Sequence, residues 1–259
     1  MNDLKQRIRS GEIVLGTFYK TASPAVLEIL GYAGFDFAVV DCEHSNIGYS
    51  QVEDIVRNGE NVGLPIIVRV ASANDENIFH ALDSNAAGVQ LPNLSTPEEA
   101  EKSVRYAKYY PLGERGLSRA QRAARFGFWN EETPYPQYAN EHTIVSVHIE
   151  NEFMAKNVRK VCQLPQVDVV FVGPADLSQS LGIPGKASDP RIVELAGQVL
   201  ATARECGKAG GVFVGNMEAA KRYIEMGATY ILFSSDTALF GKTARETVAD
   251  FSKIKKETK

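Results

Sequence analysis

Eight short apolar runs recur along the chain, and most are followed by a turn and a longer amphipathic stretch. The runs are rich in β-branched residues and apolar at nearly every position. This pattern is typical of strands that are buried on both faces of a parallel sheet. The runs lie at residues 13–18, 35–40, 65–70, 86–91, 143–149, 167–172, 210–214 and 229–234. Strand and helix signals therefore alternate along the whole sequence.

The segments between the runs carry helix signals, such as Ser23-Pro24, which pairs an N-cap residue with a first-turn proline. No linker or change of composition interrupts the alternation over the 259 residues. A doubly wound sheet is disfavoured because no glycine-rich phosphate turn follows the first run, at residues 17–23. We therefore predict an α/β fold in which residues 1–259 form one domain, a single (β/α)8 TIM barrel.

Charge and cysteine content argue against several classes of function. The chain has 28 Lys and Arg against 32 Asp and Glu, a net charge of −4, which favours neither a nucleic-acid nor a membrane partner. Cys42, Cys162 and Cys206 form no CxxC pair, so a disulfide framework or a structural zinc site is not expected. The first residues lack the apolar core of a signal peptide. We therefore expect a cytoplasmic protein.

Polar residues cluster where the predicted strands end, and the active sites of such barrels form at the carboxyl ends of the strands. These residues are Asp41, Glu43, His44, Arg69, Gln90, His148, Glu150, Asp176, Ser234, Ser235 and Asp236. The strand interiors are apolar, so the convergence of acids, amides and cations on one rim predicts a catalytic site there.

Glu150 and Asp176 follow neighbouring predicted strands and are expected to approach each other. Two close carboxylates repel unless a proton or a cation lies between them. Oxygen ligands with open positions suit Mg²⁺ or Mn²⁺, and Co²⁺ or Zn²⁺ are alternatives. The other interpretation is that each carboxylate caps the following helix.

Three further positions point to substrate chemistry. His44 follows two carboxylates, which can orient an imidazole and tune its pKa for acid–base work. Arg69 closes an apolar strand and needs an anion, either a ligand or a fixed neighbouring carboxylate. The turn at 173–178 presents backbone N–H groups at a helix start, which can bind a carboxylate. His148 is expected to point to the same side as Glu150, either as a partner of that residue, as a ligand or as a packed interior histidine.

The segments FDFAVVDCEHSN, PIIVRV, YYPLGERG, VHIENEFM, VDVVFVGPADLSQSLG and TYILFSSDTALF occur in this order over roughly residues 13–245. Together they resemble the HpcH/HpaI aldolase family of class II, metal-dependent pyruvate aldolases, which act on substrates such as 4-hydroxy-2-oxoheptanedioate or 2-dehydro-3-deoxyglucarate. The resemblance implies cleavage or formation of 4-hydroxy-2-oxo acids, with pyruvate and an aldehyde as partners, through a metal-stabilised pyruvate enolate.

The resemblance also implies roles for individual residues. Glu150 and Asp176 would be the metal ligands, and His44 the acid–base group with Asp41 as its partner. Arg69 would hold the enolate oxygen, and the turn from Gly173 through the amides of Ala175 and Asp176 would hold the carboxylate of pyruvate. Asp83 would reach a neighbouring subunit. The family further implies a homohexamer of dimers that exchange a carboxyl-terminal helix.

Two features depart from the family pattern. His148 stands where a glutamine is usual, so it is expected to alter substrate binding, metal preference or pH response. The segment 110–142 lacks clear periodicity and is expected to shape the aldehyde site.

Three alternatives stay open. A lysine-type aldolase would need a strand-end lysine, and only Lys20 comes near such a position. A citrate-lyase-like enzyme acting on a CoA thioester would need a basic groove, for which Arg115, Arg119, Arg122 and Arg125 are candidates. A non-catalytic barrel that binds a keto acid is the third.

Overall fold

A computed structural model describes residues 4–257 of the chain, so the ends of the predicted domain, 1–3 and 258–259, lie outside the described residues. Eight parallel strands close into a barrel in the order of the sequence. They are β1 (Val14–Tyr19), β2 (Phe37–Asp41), β3 (Ile66–Arg69), β4 (Gly88–Leu91), β5 (Ile144–Ile149), β6 (Val169–Val172), β7 (Ala209–Val214) and β8 (Ala228–Ser235). The structure confirms the predicted single (β/α)8 barrel.

Helices surround the barrel and connect its strands. They are α1 (Leu4–Arg9), α2 (Pro24–Tyr32), α3 (Tyr49–Asn61), α4 (Asp75–Asp83), α5 (Pro97–Tyr106), α6 (Tyr135–His142), α7 (Glu152–Lys156), α8 (Val158–Cys162), α9 (Pro174–Ser180), α10 (Pro190–Glu205), α11 (Met217–Glu225) and α12 (Asp236–Glu257). Pro24 and Pro97 open α2 and α5 because a proline at the first helical position sacrifices no intrahelical hydrogen bond.

The period-two alternation of the strands decides which residues enter the barrel. Phe18, Phe37, Ile67, Phe171 and Tyr230 pack together in an interior apolar cluster. Strand residues of the opposite parity, such as Val40, Val68 and Val170, pack outward against the helices. On β2 and β3 the last inward-facing residues, at the carboxyl ends of the strands, are Asp41 and Arg69. The barrel interior is therefore polar at the carboxyl ends of the strands and apolar in its middle.

The amino-terminal helix α1 closes the opposite end of the barrel. Leu4 and Ile8 join the interior cluster, and the ammonium of Lys5 lies 3.0 Å from Oδ2 of the buried Asp168. Arg9 binds the other oxygen of that carboxylate, at 3.0 Å. Burial lowers the pKa of Lys5, while Asp168 opposes this effect. These contacts belong to the face of the barrel that supports stability rather than chemistry.

The segment at 110–142 does not lie where it was expected. It connects the end of α5 to the start of β5 and therefore runs along the amino ends of the strands, opposite the polar rim. Arg115 binds Asp83 at 2.6 Å, and Arg122 donates to the carbonyl of Ser84 at 2.8 Å. The segment therefore lies away from the rim of its own chain, because the helix-to-strand connections of a barrel belong to the other face, and its role at an aldehyde site stays a prediction.

The last helix, α12, extends away from the barrel. Phe240, Val248 and Phe251 on this helix are each at least 60% exposed. Apolar side chains are therefore exposed along α12. Among residues 4–257, no helix combines the length and apolar character that crossing a membrane requires.

Candidate active site

The polar rim begins with an ion pair that the strand register creates. Asp41 and Arg69 are directly paired positions on β2 and β3, so their side chains enter the barrel side by side. Arg69 donates from Nε to Asp41 Oδ1 at 2.9 Å, and its Nη2 lies 2.7 Å from Oδ2. The ammonium of Lys20, immediately after β1, also lies 2.7 Å from Asp41 Oδ2. The anion that Arg69 required is therefore a fixed neighbouring carboxylate in the unbound chain.

Asp41 is fully buried, and its protonation reflects opposing effects. Burial alone would raise the pKa of this carboxyl. Arg69, Lys20 and the backbone N–H of His44 outweigh burial and lower the pKa to about 2. The carboxylate accepts from that backbone N–H at 3.1 Å rather than from the imidazole. The expected side-chain pair of Asp41 with His44 is therefore absent among the described residues, because the two cations draw the carboxylate inward.

The imidazole of His44 has a different neighbour. Its Nε2 lies 3.7 Å from Glu43 Oε2, and 60% of the side chain is exposed at the mouth of the barrel. Glu43 also accepts from Arg69 Nη1 at 3.0 Å and from the side-chain amide of Asn93. Burial raises the pKa of Glu43, and the negative charge of Glu150 adds to the rise, while Arg69 opposes it. An exposed imidazole beside a carboxylate is suitably placed for proton transfer.

Glu150 follows β5 directly and is held at both oxygens. Oε1 lies 2.7 Å from His148 Nδ1, and Oε2 accepts from the backbone N–H of Asn93 at 2.8 Å. A carboxylate only accepts, so His148 donates from Nδ1. Burial would raise the pKa of Glu150, but these two donors lower it overall. Glu150 is therefore anionic and fixed in orientation.

His148 lies behind Glu150 in a buried chain of contacts. Its Nε2 is 3.1 Å from Gln90 Oε1, and the Gln90 amide donates to the Tyr230 hydroxyl at 3.0 Å. Its ring stacks on Phe171 with centroids 4.6 Å apart, because the two residues are paired in register on β5 and β6. Both ring nitrogens have protein partners, and the contact with Oε1 fixes the orientation of the Glu150 carboxylate.

Asp176 lies in the first turn of α9, beside Glu150. A Cβ built on Gly173 would be 3.1 Å from Asp176 Oδ2 and 3.6 Å from Glu150 Oε1, so the two carboxylates border the same glycine. Loss of solvent raises the pKa of Asp176, and the negative charge of Glu150 raises it further. His148, Arg69 and His44 act in the opposite direction. Residues from the ends of three other strands, β2, β3 and β5, therefore act on this carboxylate.

The carboxylate pair fits a divalent cation. Two converging carboxylates disfavour each other's charge, and a cation between them would remove that cost. Asp176 has no hydrogen-bond or ion-pair partner within residues 4–257, which leaves its oxygens available to a ligand. No cluster of three or more His, Cys, Asp or Glu side chains suited to a metal exists in the described part of the chain. A cation such as Mg²⁺ would complete its shell with water or substrate oxygens.

The start of α9 adds hydrogen-bond donors beside this pair. Gly173 and Pro174 precede the helix, and the N–H groups of Ala175 and Asp176 lie in its first turn. Such first-turn amides have no intrahelical acceptor and point outward from the helix end. They are suited to binding a carboxylate.

The sequence analysis missed Asn93 and the contacts of two other residues. Asn93 donates from its backbone N–H to Glu150 and from its side-chain amide to Glu43. Its φ of 56° is one that asparagine tolerates better than most residues. Glu43 was placed in the rim, but its ion pair with Arg69 was not predicted. Lys20 was treated as near a strand end, whereas its ammonium is part of the rim. Long-range partners of this kind leave no periodic signal.

Comparisons with known proteins place these features in a family. The model of the HpcH/HpaI aldolase/citrate lyase family matches residues 14–243. The chain is 32% identical over 250 residues to the 4-hydroxy-2-oxo-heptane-1,7-dioate aldolase of Shigella sonnei (strain Ss046), a match that covers 96% of this chain and 95% of the relative. It is 33% identical over 232 residues to the 2-dehydro-3,6-dideoxy-6-sulfogluconate aldolase of Pseudomonas putida, covering 90% of each.

A solved structure agrees with the sequence matches. The HpcH/HpaI aldolase/citrate lyase family protein of Burkholderia cenocepacia J2315 superposes with a TM-score of 0.91 at 32% identity. The superposition covers 97% of this chain and 100% of the other.

Proposed function

Because the chain belongs to the HpcH/HpaI aldolase/citrate lyase family and is a carbon–carbon lyase, we propose that it is a divalent-metal-dependent aldolase. It would cleave 4-hydroxy-2-oxo acids into pyruvate and an aldehyde and catalyse the reverse addition. The observation that carries the proposal is that the Glu150 and Asp176 carboxylates border the same residue, Gly173, within the electrostatic influence of Arg69.

The chemistry requires charge stabilisation. Cleavage of the C3–C4 bond leaves its electron pair on pyruvate as an enolate, whose oxygen needs positive charge nearby. A divalent cation bound by Glu150 and Asp176 would supply part of that charge as a Lewis acid. Arg69 would supply a second part, since Asp41 and Glu43 engage only some of its five N–H donors. The amides of Ala175 and Asp176 would bind the carboxylate of pyruvate.

His44 is proposed as the acid–base group. In cleavage it would accept the proton of the 4-hydroxyl group while the carbonyl of the aldehyde forms. In the reverse reaction, the addition of pyruvate to the aldehyde, it would return that proton. Its exposure at the mouth and the neighbouring Glu43 support this role. Asp41 would act indirectly, by fixing Arg69 and the backbone of His44.

The cation is proposed to be Mg²⁺ or Mn²⁺, with Co²⁺ and Zn²⁺ as alternatives, because the protein ligands are both carboxylates.

Replacing Gly173 by alanine should test the carboxylate pair without removing either ligand. The added Cβ would press on Asp176 Oδ2 and on Glu150 Cγ, both at 3.1 Å. We expect Mn²⁺ affinity and kcat/KM each to fall about tenfold, since small misplacements at a catalytic centre are costly.

Gly215 offers a matched control for this variant. It follows β7, and a Cβ there would meet nothing within 4 Å. Gly215→Ala should keep the Mn²⁺ affinity measured by calorimetry. Native-like Mn²⁺ binding in Gly173→Ala would contradict the proposed site.

Assembly is proposed from the exposed surfaces. The apolar residues Phe240, Val248 and Phe251 on α12 would be covered if that helix packs on a neighbouring subunit. A homohexamer built from dimers that exchange this helix would provide such cover. Asp83 would then face the site of a neighbour, and the present partner of Asp83 is Arg115.

The rival CoA-thioester lyase gains no support from the arginines of the 110–142 segment. Arg115, Arg122 and Arg125 pair with Asp83, Glu60 and Glu131. Their segment lies at the opposite face from the mouth, so they form no basic groove beside the carboxylate pair of the same chain. Only a measurement of turnover distinguishes the aldolase from a barrel that binds a keto acid without catalysis.

Purified protein with Mn²⁺ or Mg²⁺ should release pyruvate from 4-hydroxy-2-oxo acids, detected by coupling to lactate dehydrogenase. Removal of the cation by a chelator should abolish release, and re-addition should restore it. Activity that survives exhaustive chelation would contradict metal dependence. Pyruvate binding with no cleavage of any 4-hydroxy-2-oxo acid would favour the non-catalytic barrel.

A further inference from the structure

Asn93, in the turn that follows β4, contacts carboxylates from two other strand ends. Its backbone N–H donates to Glu150 Oε2 at 2.8 Å, and its side-chain amide donates to Glu43 Oε1. Glu150 follows β5 and Glu43 follows β2. Burial raises the pKa of Glu43 and the charge of Glu150 adds to that rise, so the two carboxylates lie within electrostatic reach of each other. Asn93 therefore supplies one donor to each of two carboxylates that repel each other.

The contact with Glu150 depends on an unusual backbone conformation. The φ of Asn93 is 56°, in the left-handed region that asparagine and glycine adopt more readily than most residues. Pro92 and Leu94 on either side are buried, and the side-chain amide of Asn151 donates to the Leu94 carbonyl at 2.9 Å. Asn151 follows Glu150 directly, so two hydrogen bonds join the turn after β4 to the end of β5. The N–H of Asn93 is thereby presented to Glu150 from a rigid support.

The side chain of Asn93 acts on the other side of the mouth. Oε2 of Glu43 lies 3.0 Å from Arg69 Nη1 and 3.7 Å from His44 Nε2. The amide of Asn93 binds the other oxygen of that carboxylate, Oε1. This contact fixes the rotation of the carboxylate, with Oε2 toward Arg69 and His44. A carboxylate only accepts, so the place beside Oε1 requires a donor.

Asparagine meets two separate requirements at position 93. Glycine would adopt the left-handed backbone but has no donor in a side chain. Alanine would supply neither the backbone preference nor the donor. The backbone contact and the side-chain contact can therefore be removed one at a time.

We propose that Asn93 is a positioning residue that holds Glu150 in place for the cation and Glu43 in place beside His44. The inference rests on the proposed aldolase function and adds to it a residue that acts through two carboxylates rather than on the substrate. The backbone N–H serves the metal ligand, and the side-chain amide serves the acid–base group.

The test compares Asn93→Gly with Asn93→Ala in Mn²⁺ affinity, measured by calorimetry, and in kcat and KM for pyruvate release from 4-hydroxy-2-oxoheptanedioate. Glycine keeps the turn and its N–H but lacks the amide. Mn²⁺ affinity should stay within about threefold of native while kcat falls about tenfold at nearly unchanged KM. Alanine also strains the turn and displaces the N–H, so Mn²⁺ affinity should fall about tenfold as well. A residue that only shapes the turn would leave Asn93→Gly native in every measurement.

Asn85 provides a matched control. Its φ is 70°, and its side-chain amide donates to Glu60 at 2.6 Å. It precedes β4, at the opposite end of that strand from the mouth. Asn85→Gly and Asn85→Ala should therefore keep native Mn²⁺ affinity and kcat, and only the thermal stability of the alanine variant should fall.

Three results would overturn the inference. A native kcat in Asn93→Gly would show that the side-chain amide is not needed. Native Mn²⁺ affinity in a folded Asn93→Ala would show the same for the position of the N–H. Loss of Mn²⁺ affinity in Asn93→Gly would contradict the separation of the two contacts, and this variant decides alone if Asn93→Ala does not fold. Failure of the native enzyme to bind Mn²⁺ or to release pyruvate would instead refute the proposed function, so the two failures are distinguishable.

Discussion

Replacing Glu150 and Asp176 together by alanine is expected to lower kcat/KM for pyruvate release by about 10³-fold or more, because the enolate would lose its main electrostatic stabilisation. The variant should also lose measurable Mn²⁺ binding. The fold should be retained, because relief of the repulsion between the carboxylates opposes the loss of the acceptor that Glu150 provides to His148 and to the backbone N–H of Asn93. Coupled assay, calorimetry and thermal unfolding measure the three effects.

A double variant of two exposed acids on α5, Glu98→Ala with Glu101→Ala, removes the same formal charge from residues that contact none of the site side chains. It should keep native activity and Mn²⁺ binding. If the Glu150 and Asp176 double variant keeps activity within tenfold of the native enzyme, the carboxylates are helix caps and the catalytic cation, if any, lies elsewhere.

Arg69 should show the second large effect. Arg69→Lys keeps one positive charge but not the geometry that binds two carboxylates at once, so kcat/KM should fall about 10²-fold. Arg69→Met would leave the buried carboxylates of Asp41 and Glu43 without their shared cation. We expect its free energy of unfolding to drop by about 3 kcal/mol or more at neutral pH.

Arg57 provides a matched control for the stability effect. It also bridges two carboxylates, Glu53 and Asp54, but all three side chains are at least 40% exposed. Arg57→Met should cost less than about 1 kcal/mol. Urea denaturation of both variants makes the comparison. Equal losses would show that Arg69 acts as a surface charge, and a native kcat/KM in Arg69→Lys would remove it from the enolate site.

The barrel could be predicted from sequence because its signal is local and repeated. Each strand is buried on both sides, so its residues are apolar at successive positions, and each run such as 167–172 appears in the sequence itself. The rim was predictable for a related reason. A barrel collects all strand ends at one face, so Glu150 and Asp176 had to converge once the strands were assigned.

The partners inside the rim depend on information that the sequence does not carry locally. Arg69 needed an anion, but whether Asp41 or a ligand supplies it depends on the register of β2 against β3. The interaction of His148 with Gln90 likewise joins residues 58 positions apart. Segment 110–142 was misplaced because it has no periodicity, and its side of the barrel follows only from the connection between α5 and β5.

The proposed function depends on the formation of a pyruvate enolate at this rim with the help of a divalent cation. Enolate formation can be measured without any aldehyde, by proton NMR of the exchange of the pyruvate methyl protons in D₂O. We expect rapid exchange with Mn²⁺ or Mg²⁺ that stops on chelation and in the Glu150 and Asp176 double variant. Exchange that continues unchanged after both treatments, or no exchange by the cation-loaded enzyme above the buffer rate, would contradict it.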